Sequence, residues 1–271
     1  MNSPHANFNR CKLCQATTAV PTYHLAKTTI YRCSSCDFHF SDYLDEALPP
    51  AAPTILDSNT GRYIDMRSHS SRDLTAQRLA LITRYRDIQD CNLLDIGAGT
   101  GQFILAAKQQ GAHAVGIEPS QLRRDYALAN SALSLHPETV ESPFWQAAYR
   151  EYFHIITLWD VIEHVNFPVE TLSRAVSLLK PGGLLLLETP DRQALPYRLS
   201  ERFYRLSNGR ISLFLNNFYS VAPYGHKQIF TRPQLIELCE QSGLQLYFQS
   251  GDYQCQTAHG KNIILAAVKP G

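Results

Sequence analysis

The feature that most constrains the fold of this chain is a regular alternation of short apolar segments with helical segments between residues 91 and 191. NLLDIG, HAVGIEP, FHIITLWD and GLLLLETP have the length and composition of strands, and segments with helical periodicity lie between them. This alternation predicts βαβ units, and therefore a parallel sheet with helices on both faces. Segments that are apolar throughout, such as Leu184 to Leu187, indicate strands buried on both sides.

The composition limits the class of protein further. A chain of 271 residues with 44% hydrophobic content is long and apolar enough to form a packed core. Its formal net charge of +1 gives no electrostatic reason to expect a nucleic-acid partner. No apolar run is long enough to span a bilayer, so we expect no membrane partner. The first ten residues lack the apolar segment of a signal peptide, which predicts a cytoplasmic location with reduced thiols.

Changes in composition divide the sequence into three parts. Residues 1–44 are rich in cysteine and carry two strand-like segments. A proline-rich linker and an amphipathic helix predicted over residues 65–88 make up residues 45–90. The alternating pattern places the main domain at residues 91–271, interrupted by an aromatic insertion at 192–225. We interpret the insertion as a lid over an apolar or ring-shaped substrate, and the alternative is ordinary packing against the core helices.

The loop after the first strand of the alternation has the pattern D-x-G-x-G-x-G over residues 95–101. In a doubly wound sheet this loop lies at the carboxyl ends of the strands, where ligands bind. Its glycines let a ligand approach the backbone closely. The next strand ends in Glu118, at the position where an acid can accept hydrogen bonds from ribose hydroxyls. An acid at Asp95 suits a ligand with a cationic amino group, so the pattern favours S-adenosylmethionine.

The same pattern argues against an NAD-dependent oxidoreductase. The dinucleotide fingerprint is G-x-G-x-x-G, with a different spacing of its third glycine. A pyrophosphate beside Asp95 would also be repelled by the carboxylate.

Two long segments carry a resemblance to a known family. LLDIGAGTGQFILAAKQQGAHAVGIEPS and ITLWDVIEHVNFPVETLSRAVSLLKPGGLLLLETPD strongly resemble the class I S-adenosylmethionine-dependent methyltransferases, in the small-molecule branch related to ubiquinone-biosynthesis enzymes. GHKQIFTRPQLIELCEQSGL resembles a later segment of the same group. The resemblance implies a Rossmann-like α/β sheet with helices on both faces, and transfer of a methyl group to an oxygen or carbon of a small-molecule acceptor.

The resemblance also implies a set of cofactor-binding residues. The glycine loop would contact the methionine part of the cofactor, with Asp95 near its amino group, and Glu118 would bind the ribose hydroxyls. Thr139 or Val140 falls where the family places an adenine contact, and the LWD segment would close the pocket under the sulfonium. The KPGG segment (180–183) is expected to be a turn into the next strand. The predicted cofactor-binding residues are Asp95, Gly97, Ala98, Gly99, Gly101, Glu118, Pro119, Ser120, Thr139, Val140, Trp159 and Asp160. For Asp160 the alternative is a capping role in the turn that it begins.

Four of the seven cysteines have the spacing C-x2-C-x18-C-x2-C, namely Cys11, Cys14, Cys33 and Cys36. This spacing predicts a structural zinc site with four thiolate ligands. The metal would supply folding free energy, on the order of 10 kcal/mol, that a segment this small cannot obtain from its own core. Two disulfides are the alternative, which a reducing compartment opposes. The segment resembles a zinc ribbon, a module that also precedes other tailoring methyltransferases.

Methyl transfer to a hydroxyl or carbon acid needs a proton acceptor, and histidine suits that role near neutral pH. His164 and His226 lie in the segments DVIEHV and YGHKQIF, where the resembled family also carries histidines. Each is a candidate base, and the alternative for each is a structural role. Tyr219 and Tyr224 are candidates for orienting a substrate hydroxyl. Four other histidines are expected at the surface: His5, His24, His39 and His259.

Two further functions stay open. An RNA methyltransferase could use the ribbon as an RNA clamp, although the near-neutral charge and the absence of base-amine motifs oppose it. A non-catalytic protein that binds S-adenosylmethionine is the other alternative. The sequence identifies neither the acceptor nor the oligomeric state.

Overall fold

The computed structural model describes residues 7–45, 72–221, 225–249, 256–257 and 260–271. Most of the predicted linker, the first residues of the predicted helix 65–88 and Tyr224 lie outside the described residues. The chain is divided into two compact units. The first unit comprises residues 1–48, 160–173 and 188–265. The second unit comprises residues 49–159, 174–187 and 266–271.

The helices and strands of the described residues follow the predicted alternation. The helices are α1 (Arg72–Thr83), α2 (Gln102–Gln109), α3 (Gln121–Ser131), α4 (Pro143–Ala148), α5 (Pro168–Leu178), α6 (Leu195–Leu206), α7 (Leu215–Phe218) and α8 (Arg232–Gln241). The strands are β1 (Ala19–His24), β2 (Thr29–Cys33), β3 (His39–Ser41), β4 (Asn92–Ile96), β5 (His113–Ile117), β6 (Phe153–Trp159), β7 (Leu179–Pro190), β8 (Gln228–Ile229), β9 (Gln245–Gln249), β10 (Gln256–Thr257) and β11 (Gly260–Val268).

The larger sheet has seven strands in the order β10-β11-β7-β6-β4-β5, with β9 paired to β11. Strand β4 pairs in parallel with β5 on one side and β6 on the other. The centre of the sheet is fully buried, as the apolar strands predicted, with Leu93, Leu94 and Ile155 all inaccessible to solvent. The Rossmann-like α/β fold is therefore confirmed. The carboxyl end of β4 is a topological switch point, which is where such folds bind ligands.

One local prediction in this sheet is wrong. The KPGG segment is not a turn, because Lys180 to Gly183 form the first part of β7. Its backbone is paired with the end of the chain: the Gly182 N–H donates to the Lys269 carbonyl over 2.8 Å, and the Lys269 N–H donates to the Gly183 carbonyl over 3.0 Å. A partner strand far along the sequence therefore overrides the local turn signal of proline and glycine.

The first unit contains a four-stranded sheet with the order β1-β2-β3-β8, whose pairs are all antiparallel. The two strands predicted from residues 1–44 are confirmed as β1 and β2. Aromatic residues of the 192–225 insertion pack against this sheet. A buried cluster joins Tyr23, Ile30 and Ile229 of the sheet to Tyr197, Tyr204, Leu215 and Tyr219 of the insertion. Part of the insertion therefore shares a hydrophobic core with the four-stranded sheet.

The surface position predicted for His39 is wrong, since its side chain is only 1% exposed. His39 lies on β3, which is covered on both edges by β2 and β8. Its Nδ1 atom is 3.1 Å from the Tyr197 hydroxyl, which in turn is 2.7 Å from the Tyr219 hydroxyl. His24 is exposed as predicted, and His5 and His259 lie outside the described residues. Among the described helices, none has the length and apolarity that crossing a bilayer requires.

Candidate functional site

The glycine loop of the second unit has the backbone conformation that its sequence predicts. Gly97, Gly99 and Gly101 have φ angles of 75°, 58° and 77°, in the region that favours glycine. A Cβ atom at Gly101 would lie 2.2 Å from the Leu133 Cδ2 atom, so a larger residue there would also have to displace the Leu133 side chain. A Cβ atom at Gly99 would meet nothing within 4 Å. The backbone at Gly99 therefore borders open space, as a ligand cradle needs.

Glu118 follows β5 and lies directly beside this loop. Its Oε2 atom accepts a hydrogen bond from the Gly99 N–H over 2.8 Å, and its Oε1 atom accepts one from the Ser120 N–H over 2.9 Å. The side chain is almost fully buried, and burial raises the pKa of its carboxyl above the usual value. Each carboxylate oxygen has two lone pairs. Each oxygen of Glu118 can therefore keep its hydrogen bond to the backbone and still accept a second one from a ligand hydroxyl.

Asp95 lies on β4 two residues before the first glycine of the loop and is also buried, at 3% exposure. The Thr157 hydroxyl on β6 donates to its Oδ1 atom over 2.7 Å. Burial raises the pKa of the Asp95 carboxyl to about 7, and the Thr157 hydrogen bond and Arg78 only partly offset this effect. A cationic group near Asp95 would favour its ionised form. The site is thus chemically suited to a ligand that carries an ammonium group.

Trp159 ends β6 and is buried next to the aromatic ring of Phe103. The Arg78 guanidinium lies 4.8 Å from the centre of the indole ring. Within the part of the chain that the structure describes, the buried indole Nε1 has no hydrogen-bond partner. A buried donor of this kind could donate to a water or to a bound molecule. The family resemblance pointed to Trp159, but no sequence motif gave a reason to select Thr157 or Arg78.

The remaining predicted cofactor residues of the second unit differ in exposure. Ala98 and Val140 are buried, Pro119 and Ser120 are half-buried, and Thr139 is exposed. The Arg124 guanidinium donates to the backbone carbonyls of Glu118 and Pro119, each over 2.7 Å, and so fixes the start of α3. The open backbone, the two buried acids and the orphaned indole N–H fit S-adenosylmethionine, which carries an ammonium group and ribose hydroxyls.

The two candidate catalytic histidines lie together in the first unit. The rings of His164 and His226 have centroids 4.6 Å apart and cross at 61°. The His164 Nε2 atom is 3.7 Å from the Glu163 Oε1 atom. One ligand atom from each of these three residues lies within 4.8 Å of the others, a spacing that a single cation could bridge. The sequence placed the histidines in separate segments and could not show that they meet.

Glu163 is completely buried at the centre of an acidic group. The Thr189 hydroxyl donates to its Oε2 atom over 2.9 Å. Burial and the nearby charges of Asp160 and Glu188 raise the pKa of the Glu163 carboxyl well above its usual value. Asp160 has a φ of 55°, an uncommon conformation for a non-glycine residue. Seven other non-glycine residues of the described chain share a positive φ, so the conformation does not distinguish a cofactor contact of Asp160 from a role in the turn.

Lys227 is a buried cation beside this group that no sequence motif singled out. Its Nζ atom is 2.7 Å from the Asp45 Oδ2 atom and donates to the His164 carbonyl over 2.6 Å. Burial lowers the pKa of its ammonium group, and Asp45 opposes this effect. Lys227 therefore fixes the backbone of both histidine segments, since it is adjacent to His226 in sequence and bonded to His164.

The two candidate tyrosines are not found with the histidines. Tyr219 lies in the buried cluster of the insertion, where its hydroxyl is bonded to Tyr197. Burial raises the pKa of Tyr219 above its usual range, which makes it a poor proton acceptor or donor near neutral pH. This environment favours a packing role for Tyr219. Tyr224 lies outside the described residues.

The four predicted zinc ligands converge in the first unit. The sulfur atoms of Cys11 and Cys36 are 3.6 Å apart, as are those of Cys14 and Cys33, and all four lie within 4.8 Å of one another. Four thiolates at the usual Zn–S distance would have their sulfur atoms about 3.8 Å apart in a tetrahedron. The backbone N–H of Leu13 and the hydroxyl of Thr18 also contact ligand sulfurs. All four cysteines are free thiols, so the alternative of two disulfides is not what the chain forms.

Comparison with known proteins identifies the family. The family model described as "Methyltransferase domain" matches residues 64–248. The chain is 29% identical to a ubiquinone biosynthesis O-methyltransferase of Haemophilus ducreyi over 56% of this chain and 64% of the relative. It is 26% identical to the enzyme of the same name from Aeromonas salmonicida, over 63% of this chain and 71% of that relative. The chain spans 64% of the length of the Haemophilus ducreyi enzyme, and 54% and 49% of the enzymes of the same name from Saccharophagus degradans and Actinobacillus pleuropneumoniae.

Solved structures with the same fold include two S-adenosylmethionine-related enzymes. One is the 1,6-didemethyltoxoflavin-N1-methyltransferase of Burkholderia thailandensis, solved with 1,6-didemethyltoxoflavin and S-adenosylhomocysteine, with a TM-score of 0.54 and 15% identity over 93% of this chain and 99% of that chain. The other is an S-adenosylmethionine-dependent methyltransferase of Mesorhizobium loti, with a TM-score of 0.51 and 14% identity over 70% of this chain and 95% of that chain. By its family match and its fold, the chain belongs to the methyltransferase-domain family of class I S-adenosylmethionine-dependent methyltransferases.

Proposed function

We propose that this protein transfers a methyl group from S-adenosylmethionine to an oxygen or carbon atom of a small-molecule acceptor. The observation that carries the proposal is a pair of buried carboxylates, Asp95 and Glu118, at the ends of adjacent parallel strands beside the open backbone of Gly99. The names of the curated relatives, which are O-methyltransferases, support oxygen as the accepting atom.

In this proposal the residues of the second unit hold the cofactor. The ionised Asp95 pairs with the cofactor's ammonium group, and Glu118 accepts its ribose hydroxyls while it holds the Gly99 and Ser120 N–H groups. Trp159 offers its unsatisfied indole N–H, and Thr139 or Val140 lies towards the adenine. When bound, the cofactor supplies a methyl group that its sulfonium already activates for displacement.

The chain's own chemical contribution is proton removal from the acceptor. We assign this role to His226, with His164 as its neighbour and the second candidate. Lys227 holds both segments, and Glu163 faces the Nε2 atom of His164. A base within hydrogen-bond reach of the proton that it removes accelerates a reaction by roughly 10²- to 10⁴-fold.

The test measures S-adenosylhomocysteine formation with a panel of phenols, catechols and sugar hydroxyls. His226→Ala should lower kcat by about 100-fold or more if the proton must be removed during transfer. Its affinity for S-adenosylmethionine should stay within about threefold of the wild type, because the cofactor contacts are in other residues. His24→Ala is the matched control, since His24 is an exposed histidine of the same unit. A wild-type rate in His226→Ala would remove that residue from the mechanism.

We further propose that Cys11, Cys14, Cys33 and Cys36 bind one structural Zn²⁺. Their sulfur spacing supports this assignment. Four thiolates leave no open coordination position, so this metal would stabilise the ribbon and take no part in methyl transfer. A reducing, cytoplasmic location would keep the four thiols available.

A further inference from the structure

Helix α6 of the insertion has three distinct faces. One face is buried and holds the helix on the ribbon sheet through Tyr197, Ser200 and Tyr204. The Tyr204 hydroxyl accepts a hydrogen bond from the His24 N–H over 2.8 Å, which fixes the rotation of the helix about its axis. The other two faces are exposed, and the Arg205 guanidinium on one of them also donates to the hydroxyl of the core residue Tyr23 over 2.9 Å.

The second face is apolar and exposed. Leu195, Leu199, Phe203 and Leu206 are 66%, 40%, 44% and 74% exposed. Their spacing places them in one stripe along the helix, because residues four and three apart are neighbours on a helix surface. In the segment after the helix, Ile211, Leu213 and Phe214 are also each more than 40% exposed. An exposed apolar stripe of this size marks a binding surface for another molecule or a membrane.

The third face is basic and borders the apolar stripe. Arg198, Arg202 and Arg205 are exposed and also fall in one stripe, and Arg210 follows the helix. The only acid in the sequence between residues 195 and 214 is Glu201, which lies 3.6 Å from the Arg205 guanidinium and accepts a hydrogen bond from the Tyr23 hydroxyl. Four arginines against one acid leave this segment with a net positive charge beside its large apolar side chains.

We propose that α6 and residues 211–214 form a peripheral binding surface for lipid bilayers that contain anionic head groups. A helix with leucine and phenylalanine on one side and arginine beside them lies in the bilayer interface, with its apolar stripe among the acyl chains and its arginines at the phosphates. Each arginine near an anionic surface adds favourable electrostatic energy. The expectation of no membrane partner rested only on the absence of a spanning segment, which a peripheral surface does not need.

The positive charge of this surface favours an anionic bilayer over a second copy of the chain as its binding partner. A symmetric dimer would bring the same patch of both copies together, and with it two arginine stripes of the same sign. Like charges that face each other oppose association. An anionic bilayer, in contrast, complements the arginines and accommodates the apolar stripe at once. This proposal does not depend on the proposed enzymatic function.

The test is co-sedimentation of the full chain with vesicles of phosphatidylcholine, with and without about 30% phosphatidylglycerol. We expect binding to the anionic vesicles, at least tenfold weaker binding to the neutral ones, and a decrease when salt is raised to about 0.5 M. The double variants Leu199→Ser/Leu206→Ser and Arg198→Glu/Arg202→Glu should each lower binding at least tenfold. Leu128→Ser and Arg84→Glu/Arg150→Glu are the matched controls, since these residues are exposed elsewhere.

A second readout locates the surface in the bilayer. The tryptophans Trp145 and Trp159 are buried, so Phe203→Trp adds an exposed probe whose emission should shift to shorter wavelength with anionic vesicles. The proposal is overturned if wild type does not sediment with anionic vesicles or if the variants bind as wild type does. It is also overturned if light scattering shows a dimer that Leu199→Ser/Leu206→Ser dissociates while vesicle binding is unchanged.

Discussion

At the scale of single residues, the most informative group is Asp95. Its side chain is buried in an environment that raises the pKa of the carboxyl to about 7. The ionised form is therefore stabilised when a cation approaches it. This supports the proposal that the acid beside the glycine loop pairs with the ammonium group of the cofactor.

The raised pKa of Asp95 predicts a pH dependence of cofactor affinity. Below about pH 7 the free protein carries a protonated Asp95, and binding of a cationic ligand must release that proton. The affinity for S-adenosylmethionine should therefore fall as the pH is lowered from about 7 to about 5.5, approaching tenfold per pH unit. Calorimetry at several pH values measures this slope. Asp95→Asn should bind more weakly and with a flat profile, and an equal slope in both proteins would contradict the account.

Glu118 gives a second prediction at this scale. Glu118→Gln keeps the size of the side chain but replaces one acceptor oxygen by a donor. Hydrogen bonds to charged groups contribute roughly 1.5 to 3 kcal/mol, so the affinity for S-adenosylmethionine should fall by about 10- to 100-fold. Glu240→Gln, at an exposed glutamate of α8, should leave the affinity unchanged. Equal affinity in the two variants would remove Glu118 from the cofactor site.

At the scale of elements, the ribbon depends on contacts with segments that are distant in sequence. The Gln234 side chain of α8 donates to the Cys36 carbonyl over 2.8 Å, and Arg192 forms an ion pair with Asp37 and donates to its carbonyl over 2.7 Å. The insertion adds the buried tyrosines Tyr197, Tyr204 and Tyr219. The ribbon is thus part of a larger compact unit, and loss of the proposed metal should affect that unit and not only residues 1–44.

The metal assignment predicts about one zinc per chain. Cys14→Ser or Cys36→Ser should lose the metal and lower the melting temperature, because the remaining thiolates cannot complete a tetrahedral site. Cys91→Ser is the matched control, since Cys91 lies in the other unit and donates to the Asp87 carbonyl. Metal analysis and thermal unfolding measure the two effects. Wild-type protein without zinc after purification in metal-containing medium would rule out the site.

The elements that the sequence predicted well are those with strong local signals. Strands β4 to β6 and the segment Leu184 to Leu187 of β7 are largely apolar, and the glycine loop and the paired cysteines have characteristic spacings. The predictions that were wrong concern residues whose position depends on pairing with strands distant in sequence, which the local sequence does not encode. Lys180 to Gly183 became a strand because the end of the chain pairs with them, and His39 became buried because β8 covers its strand. The meeting of His164 and His226 is of the same kind, since their segments are far apart in the sequence and only the fold joins them.

At the scale of the whole molecule, the features behind these proposals lie in both compact units. The second unit carries the residues proposed to bind the cofactor, and the first unit carries the histidines, the cysteine cluster and the exposed face of α6. The family match covers residues 64–248 and so includes parts of both units. The central claim is that the glycine loop beside Asp95 and Glu118 is a functional S-adenosylmethionine site in this chain.

The most direct test of that claim is calorimetric titration of S-adenosylmethionine into the wild type, Gly99→Arg and Gly243→Arg. Both glycines have positive φ and open space at the Cβ position, so both substitutions impose a similar backbone strain of about 1–2 kcal/mol. We predict one site per chain in the wild type, retained in Gly243→Arg and abolished in Gly99→Arg, with unchanged circular dichroism in all three. Absence of binding to the wild type, or equal binding to Gly99→Arg, would contradict the account.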